Sequence, residues 1–134
     1  MCANGREPTV EQGKTVCKSF HDRKVEQRLK DAKRLNSGLV FSEFGACKNT
    51  PGCVEEIRGA TGAFDKGFVS WMYWQYKWMK DFTTTSDDLE GLFYVNGTVQ
   101  ELKHKALKRT YAPLIQGTPV SNLFDPVTYD YELQ

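Results

Sequence analysis

Two short segments rich in β-branched and aromatic residues decide what this chain of 134 residues can fold into. One is LVFSEF at 39–44; the other is FVSWMYWQY at 68–76, which carries no charge. Both read as buried strands, and a helix fits between them. Thr50 suits an N-cap, Pro51 suits the first helical position, and Val54, Ile57, Ala60 and Phe64 mark one face before Gly67 ends the run. Upstream, Val25, Leu29, Ala32 and Leu35 predict a helix over 23–36 that stops at Gly38, while residues 1–20 read as loop. Downstream, 77–97 reads as a long loop carrying Trp78, Asp81 and TTTSDD. Thr98 to Glu101 then reads as a capping box opening a third helix toward Tyr111. Helix, strand, helix, strand, helix is the order of parallel α/β folds. Two strands do not close such a sheet, and an eight-stranded barrel takes about 250 residues. After Pro113 the composition turns β-like, with DPVT as a hairpin turn near the end. The chain therefore reads as a piece of a larger protein, the tail of one domain and the first strands of another.

Charge and cysteines narrow the function classes. Lys plus Arg is 18 against 17 for Asp plus Glu, a net charge of +1, which excludes the basic excess of a nucleic-acid binder. No apolar run approaches the ~20 residues that span a bilayer. The first fifteen residues hold no apolar core, so a secreted protein of this sequence carries its signal upstream. None of the four cysteines forms a CxxC pair, and His21 and His104 complete no zinc spacing with a cysteine pair, so neither metal nor cofactor is expected. Pairing Cys2 with Cys17 and Cys47 with Cys53 closes two loops rich in Gly, Pro and polar residues. Such disulfides imply an oxidising compartment, either secreted or a lysosomal or endomembrane lumen. Four free thiols in a cytosolic protein is the alternative. Asn96-Gly97-Thr98 is an N-glycosylation sequon in a turn.

Glu43 is the residue that needs explaining. An unpaired carboxylate in a buried strand costs several kcal/mol or is forced neutral. By period two, Leu39, Phe41 and Glu43 share a side, as do Phe68, Ser70, Met72, Trp74 and Tyr76. Trp71 falls on the opposite side and reads as packing. In barrels, active-site groups sit at the carboxyl ends of strands. A carboxylate beside an aromatic platform suits a retaining glycosidase, in which the acid attacks the anomeric carbon and the ring stacks on the sugar. The alternative is an exposed strand-end acid.

LVFSEFGA resembles the nucleophile strand of glycoside hydrolase family 5, whose seventh strand ends in Thr/Ser-Glu-Phe-Gly. SWMYWQYK resembles the eighth strand of the endoglycoceramidase branch of that family. From TTTSDD through RTYAPLIQGTP to LFDPVTYDYEL, the chain is similar to the stretch in which the last barrel helix of those enzymes passes into a C-terminal β-sandwich. The likeness runs from about residue 31 to the end, and RTYAPLIQGTP with Phe124-Asp125 is its most specific part.

The resemblance implies that 1–113 is the C-terminal part of a (β/α)8 TIM barrel, and that 114–134 is a linker with the first strands of the sandwich. It implies Glu43 as nucleophile and Trp74, with Tyr76 and Trp78, as substrate-binding residues. Gly45 and Ala46 follow where a tight backbone lets substrate approach. The implied substrate is a glycosphingolipid taken from a membrane or micelle and cut between glycan and ceramide by an enzyme that is monomeric when whole. Trp78, Met79 and Phe82 read as either a lipid groove or core packing. Relatives acting on glucosylceramide or steryl glucosides, a cellulase-like hydrolase, and a non-catalytic carbohydrate binder are the alternatives. One departure stands out. Retaining hydrolysis needs a second carboxyl about 5–5.5 Å away, supplied in this family by Asn-Glu-Pro at the fourth strand. Here the nearest match is Glu7-Pro8, with Arg6 in place of Asn. It also precedes Glu43 too closely, since one βαβ unit alone takes about 30 residues. The acid/base residue is therefore expected outside this chain.

Overall fold

The computed structural model describes all residues except 1, 3–5, 83–85 and 87. The Thr83–Thr85 and Asp87 part of the expected loop thus lies outside the described residues. The fold is a mixture of helices with two small sheets.

Helix begins much earlier than the sequence pattern indicates. A short α1 (Val10–Gln12), a π-helical turn (Gly13–Cys17) and α2 (Lys18–Arg34) follow one another directly, which corrects the loop expected over 1–20 from Val10 onward. The capping box lies here. Thr9 Oγ1 accepts from the Gln12 amide at 3.2 Å, and Gln12 Oε1 accepts from the Thr9 amide at 2.9 Å. The buried residues of this turn are Gly13 and Cys17, so its packing carries no apolar period. A Cβ on Gly13 would stand 2.4 Å from that of Glu55, so glycine is what lets the two helices approach.

Strand β1 (Val40–Gly45) and strand β2 (Ser70–Trp74) pair in parallel, joined by helix α3 (Pro51–Lys66) as the crossover that parallel neighbours need. Thr50 caps α3, its side chain accepting from the Cys53 amide at 3.3 Å. Strand β2 is shorter than expected at both ends. Phe68 takes a left-handed φ of 51° in the turn after α3, and Tyr76 lies beyond the last ladder residue. The pairing also holds a bulge. Phe41 faces Trp71 and Phe44 faces Tyr73, so Ser42 and Glu43 together oppose Met72. Both Phe41 and Phe44 consequently reach Phe64 of α3, with ring centroids 4.7 and 5.3 Å away. This corrects the expectation that Phe41 and Glu43 share a side.

The core lies between α3 and one face of this sheet. Val25, Ala60, Ala63, Phe64 and Val69 form one buried cluster, against which Leu39, Phe41, Phe44 and Trp71 pack. A second holds Val54, Ile57, Ala106 and the Cys47–Cys53 pair. Both cysteine pairs lie at disulfide separation, with Cα atoms 5.0 Å apart for Cys2–Cys17 and 5.6 Å for Cys47–Cys53. No helix among the described residues is long and apolar enough to cross a membrane.

Helix α4 (Glu101–Leu107) ends well before Tyr111, and Thr98 does not cap it. The cap comes from another loop: Asn49 Oδ1 accepts from the amides of Leu102 and Lys103, at 3.1 and 3.4 Å. Strands β3 (Asn122–Phe124) and β4 (Tyr131–Leu133) form the antiparallel hairpin expected around DPVT. Asp125 Oδ1 organises its turn, accepting from the Val127 and Thr128 amides. The hairpin rests on α3, where Asn122 Nδ2 donates to the Asp65 carbonyl at 3.2 Å and Arg58 donates to that of Pro126 at 3.3 Å.

Candidate functional site

One face of the β1–β2 sheet packs on α3, and the other carries what the first excludes. Trp71 and Tyr73 turn toward the core; Ser70, Met72 and Trp74 alternate onto the far face and are exposed. The bulge leaves Ser42 and Glu43 exposed beside them. Gly45 pairs with Trp74 at the carboxyl ends of these adjacent parallel strands, and Glu43 lies two residues before that end, in the bulge opposite Met72. Trp74 is 38% exposed, enough for an indole face to meet a ligand.

Gly45 has a different neighbour from the one anticipated. Its φ is 149°, and a Cβ there would meet the Trp74 carbonyl oxygen at 2.3 Å. Glycine is thus required by the contact between strands. Ala46 follows with a left-handed φ of 62°, and Cys47 then enters the second core cluster. The Cys47–Cys53 pair ties the end of β1 to the first turn of α3 four residues beyond Glu43.

Tyr76 and Trp78 belong to a loop that folds back on itself. The Tyr76 ring packs on Phe93 at 4.8 Å, and its carbonyl accepts from the amides of Leu92 and Phe93. Trp78 is half-buried, its Nε1 donating to the Asp81 carbonyl at 3.4 Å. Core packing does not account for Met79 or Phe82, which are 67% and 100% exposed. Asn96 sits in an exposed tight turn, where its Oδ1 accepts from the Thr98 amide.

The anchor of this loop escaped sequence reasoning. Lys103 is fully buried, and its Nζ donates to the carbonyls of Asp88, Leu89 and Gly91, at 2.9, 3.0 and 3.2 Å. These carbonyls satisfy a cation that would otherwise be costly to bury. A signal existed, because Lys103 shares a helix face with Ala106 and Leu107 at spacings of three and four. Tyr73, in the core below, has its phenol pushed up by burial and by the nearby Glu90 carboxylate.

Glu43, Trp74, Tyr76 and Trp78 line neither the cleft between α3 and the hairpin nor the hollow beside Asp65 and Arg109. The candidate residues instead form part of an open surface. Among the described residues, Cys2, Cys17 and Glu56 form a group close enough to share an ion, but in the disulfide the two sulfurs are not thiolate ligands. Comparison of the chain with protein-family models, curated proteins and solved structures found no match.

Proposed function

We propose that this chain supplies the nucleophile and sugar-stacking strands of a retaining glycoside hydrolase of the endoglycoceramidase type, secreted or held in an oxidising lumen. The carrying observation is the parallel pairing of β1 with β2, in which Glu43, two residues before the end of β1, and Trp74, the last residue of β2, are both exposed. In this reading β1 and β2 are the seventh and eighth strands of a (β/α)8 barrel, and the hairpin begins a β-sandwich. α3 covers the outer face, and the exposed face looks into the barrel. Six further strands supply the other half of the site and its acid/base carboxyl.

Glu43 attacks the anomeric carbon while the second carboxyl protonates the departing ceramide oxygen. Water, deprotonated by that same carboxyl, then displaces Glu43 from the same face on which the aglycone left, so configuration is retained. Trp74 stacks on the sugar, with Tyr76 and Trp78 bordering the path of the glycan. The exposed Met79 and Phe82 favour a lipid-bearing substrate over a soluble polysaccharide, because both offer apolar surface to an acyl chain on the loop that follows β2. A second reading, glycan binding without hydrolysis, draws on the same exposure of Trp74 and Tyr76.

Replacing Glu43 by Gln in the parent enzyme separates these readings. We expect unchanged melting and unchanged glycolipid binding, with turnover lower by at least about 10⁴-fold, as for loss of a covalent nucleophile. If the wild-type parent binds glycolipid without cleaving it, the binding reading stands. If the variant melts lower yet keeps its turnover per folded molecule, Glu43 is structural.

A further inference from the structure

The chain that follows Trp74 is held in place from a distance. Strand β2 ends at Trp74, and the next residues run against a second stretch of backbone. The Gln75 amide donates to the Glu90 carbonyl at 3.0 Å, and the Gln75 and Tyr76 carbonyls accept from the Leu92 amide at 2.8 and 3.0 Å. The Phe93 amide donates to the Tyr76 carbonyl at 2.9 Å, and the Phe93 and Tyr76 rings pack with centroids 4.8 Å apart. The Leu92 carbonyl in turn accepts from the Gln100 amide at 2.9 Å, just before α4. Residues 88–93 are therefore the backbone against which the aromatic end of β2 is set.

Lys103 of α4 holds that backbone. An ammonium carries three N–H donors, and here they meet the carbonyls of Asp88, Leu89 and Gly91. Three carbonyl dipoles aimed at one point repel one another without a cation between them. Methionine, of similar length, would fill the space and leave those carbonyls without this donor. Glu43 stands outside the arrangement. It lies in the bulge of β1, and the turn after β1 is tied by the Cys47–Cys53 pair. Lys103 thus bears on the aromatic half of the candidate site and not on its carboxylate.

We infer that Lys103 is a positioning residue for Trp74 and Tyr76, setting their rings for the glycan through residues 88–93. The inference rests on the glycosidase reading. Stacking on those rings contributes to binding in the ground state and the transition state alike, so losing their placement raises KM and spares kcat.

The test is made in the parent enzyme with Lys103→Met. Hydrogen exchange should accelerate at the Gln75, Leu92 and Phe93 amides and stay slow at Ala60 and Phe64 in the core of α3. KM for glycolipid should rise by about 10–100-fold, with kcat within about twofold of wild type. Arg109→Ala, which weakens the fold elsewhere by removing the pair with Asp65, should lower the melting temperature and leave KM unchanged. Lys103→Ala carries the test past a folding defect. Propylammonium replaces the missing methylenes and ammonium and should restore the wild-type KM, whereas tetramethylammonium, with the charge but no N–H, should not. Unchanged exchange at Gln75, Leu92 and Phe93 overturns the inference whatever the enzyme does. So does accelerated exchange with an unchanged KM, an equal rise of KM in Arg109→Ala, or a like effect of the two cations. The glycosidase reading fails differently: a wild-type parent that neither cleaves nor binds a β-glycoside removes that reading, and the inference with it, even where the exchange effect is present.

Discussion

Arg109 shows how much of this structure hangs on single side chains. Its Nε lies 2.9 Å from Asp65 Oδ2, both side chains being largely buried, and its guanidinium sits 4.7 Å from the centre of the Phe124 ring. It also donates to Thr61 Oγ1. One residue thus joins the segment after α4 to α3 and to the hairpin. Arg109→Ala leaves Asp65 buried without its cation and should cost about 3 kcal/mol, read from urea unfolding. Arg109→Lys should recover only part of this, because an ammonium keeps the charge but not the planar stack. Two carboxylates nearby should titrate in opposite directions from the ordinary 3.8. Burial pushes Asp65 up, outweighing the Arg109 charge that pulls it down. The Thr128 and Val127 amides hold Asp125 down. The signs for stability follow. Asp125 contributes stability that is present above its unfolded value and lost as pH falls through its lower folded one. Asp65 does the reverse: its contribution improves as pH falls through its raised folded value. Carboxyl chemical shifts followed by NMR from pH 7 to pH 2 would show the two midpoints on opposite sides of 3.8; coincident midpoints would contradict the environments described.

At the scale of elements, α4 depends on a residue more than fifty positions away. Asn49 caps it from the loop after β1, so Asn49→Ala should cost about 1–2 kcal/mol. Hydrogen exchange should then accelerate first at the Leu102 and Lys103 amides; unchanged protection there would mean that α4 is held by packing alone. The same example shows what could be read in advance. β1, β2 and α3 were legible because their residues follow simple periods: an uncharged β-rich run, or apolar side chains at Val54, Ile57, Ala60 and Phe64. The turn around DPVT was legible because Asp binds its own following amides. Three features were not. The first helices pack through Gly13 and Cys17, which no hydrophobic period registers. The capping residue of α4 is distant in sequence, so Thr98 and Glu101 imitated a local box. The bulge at Ser42–Glu43 depends on where Phe41 and Phe44 find Phe64, and strict alternation put Glu43 on the wrong side.

The molecule as a whole has a surface that asks for completion. Parallel strands are ordinarily covered on both faces and paired on both edges. Here the far face of β1 and β2 carries exposed Val40, Met72 and Trp74, and among the described residues the sheet has two strands. Under the proposed function, barrel strands cover that face, and Glu43 gains an acid/base partner across the cleft. Glu43 was singled out in the sequence by its misfit in an apolar strand, and its exposure in the bulge near the end of β1 resolves the misfit. Exposure alone does not make a nucleophile, so the decisive observation is the covalent bond itself. The parent enzyme should be incubated with a fluorinated sugar bearing a good leaving group, which lets the first displacement proceed and slows the second, and then digested and sequenced by mass spectrometry. One label per molecule is expected, on Glu43, with none in Glu43→Gln. A label on any other carboxylate, with glycolipid turnover intact in Glu43→Gln, would contradict it.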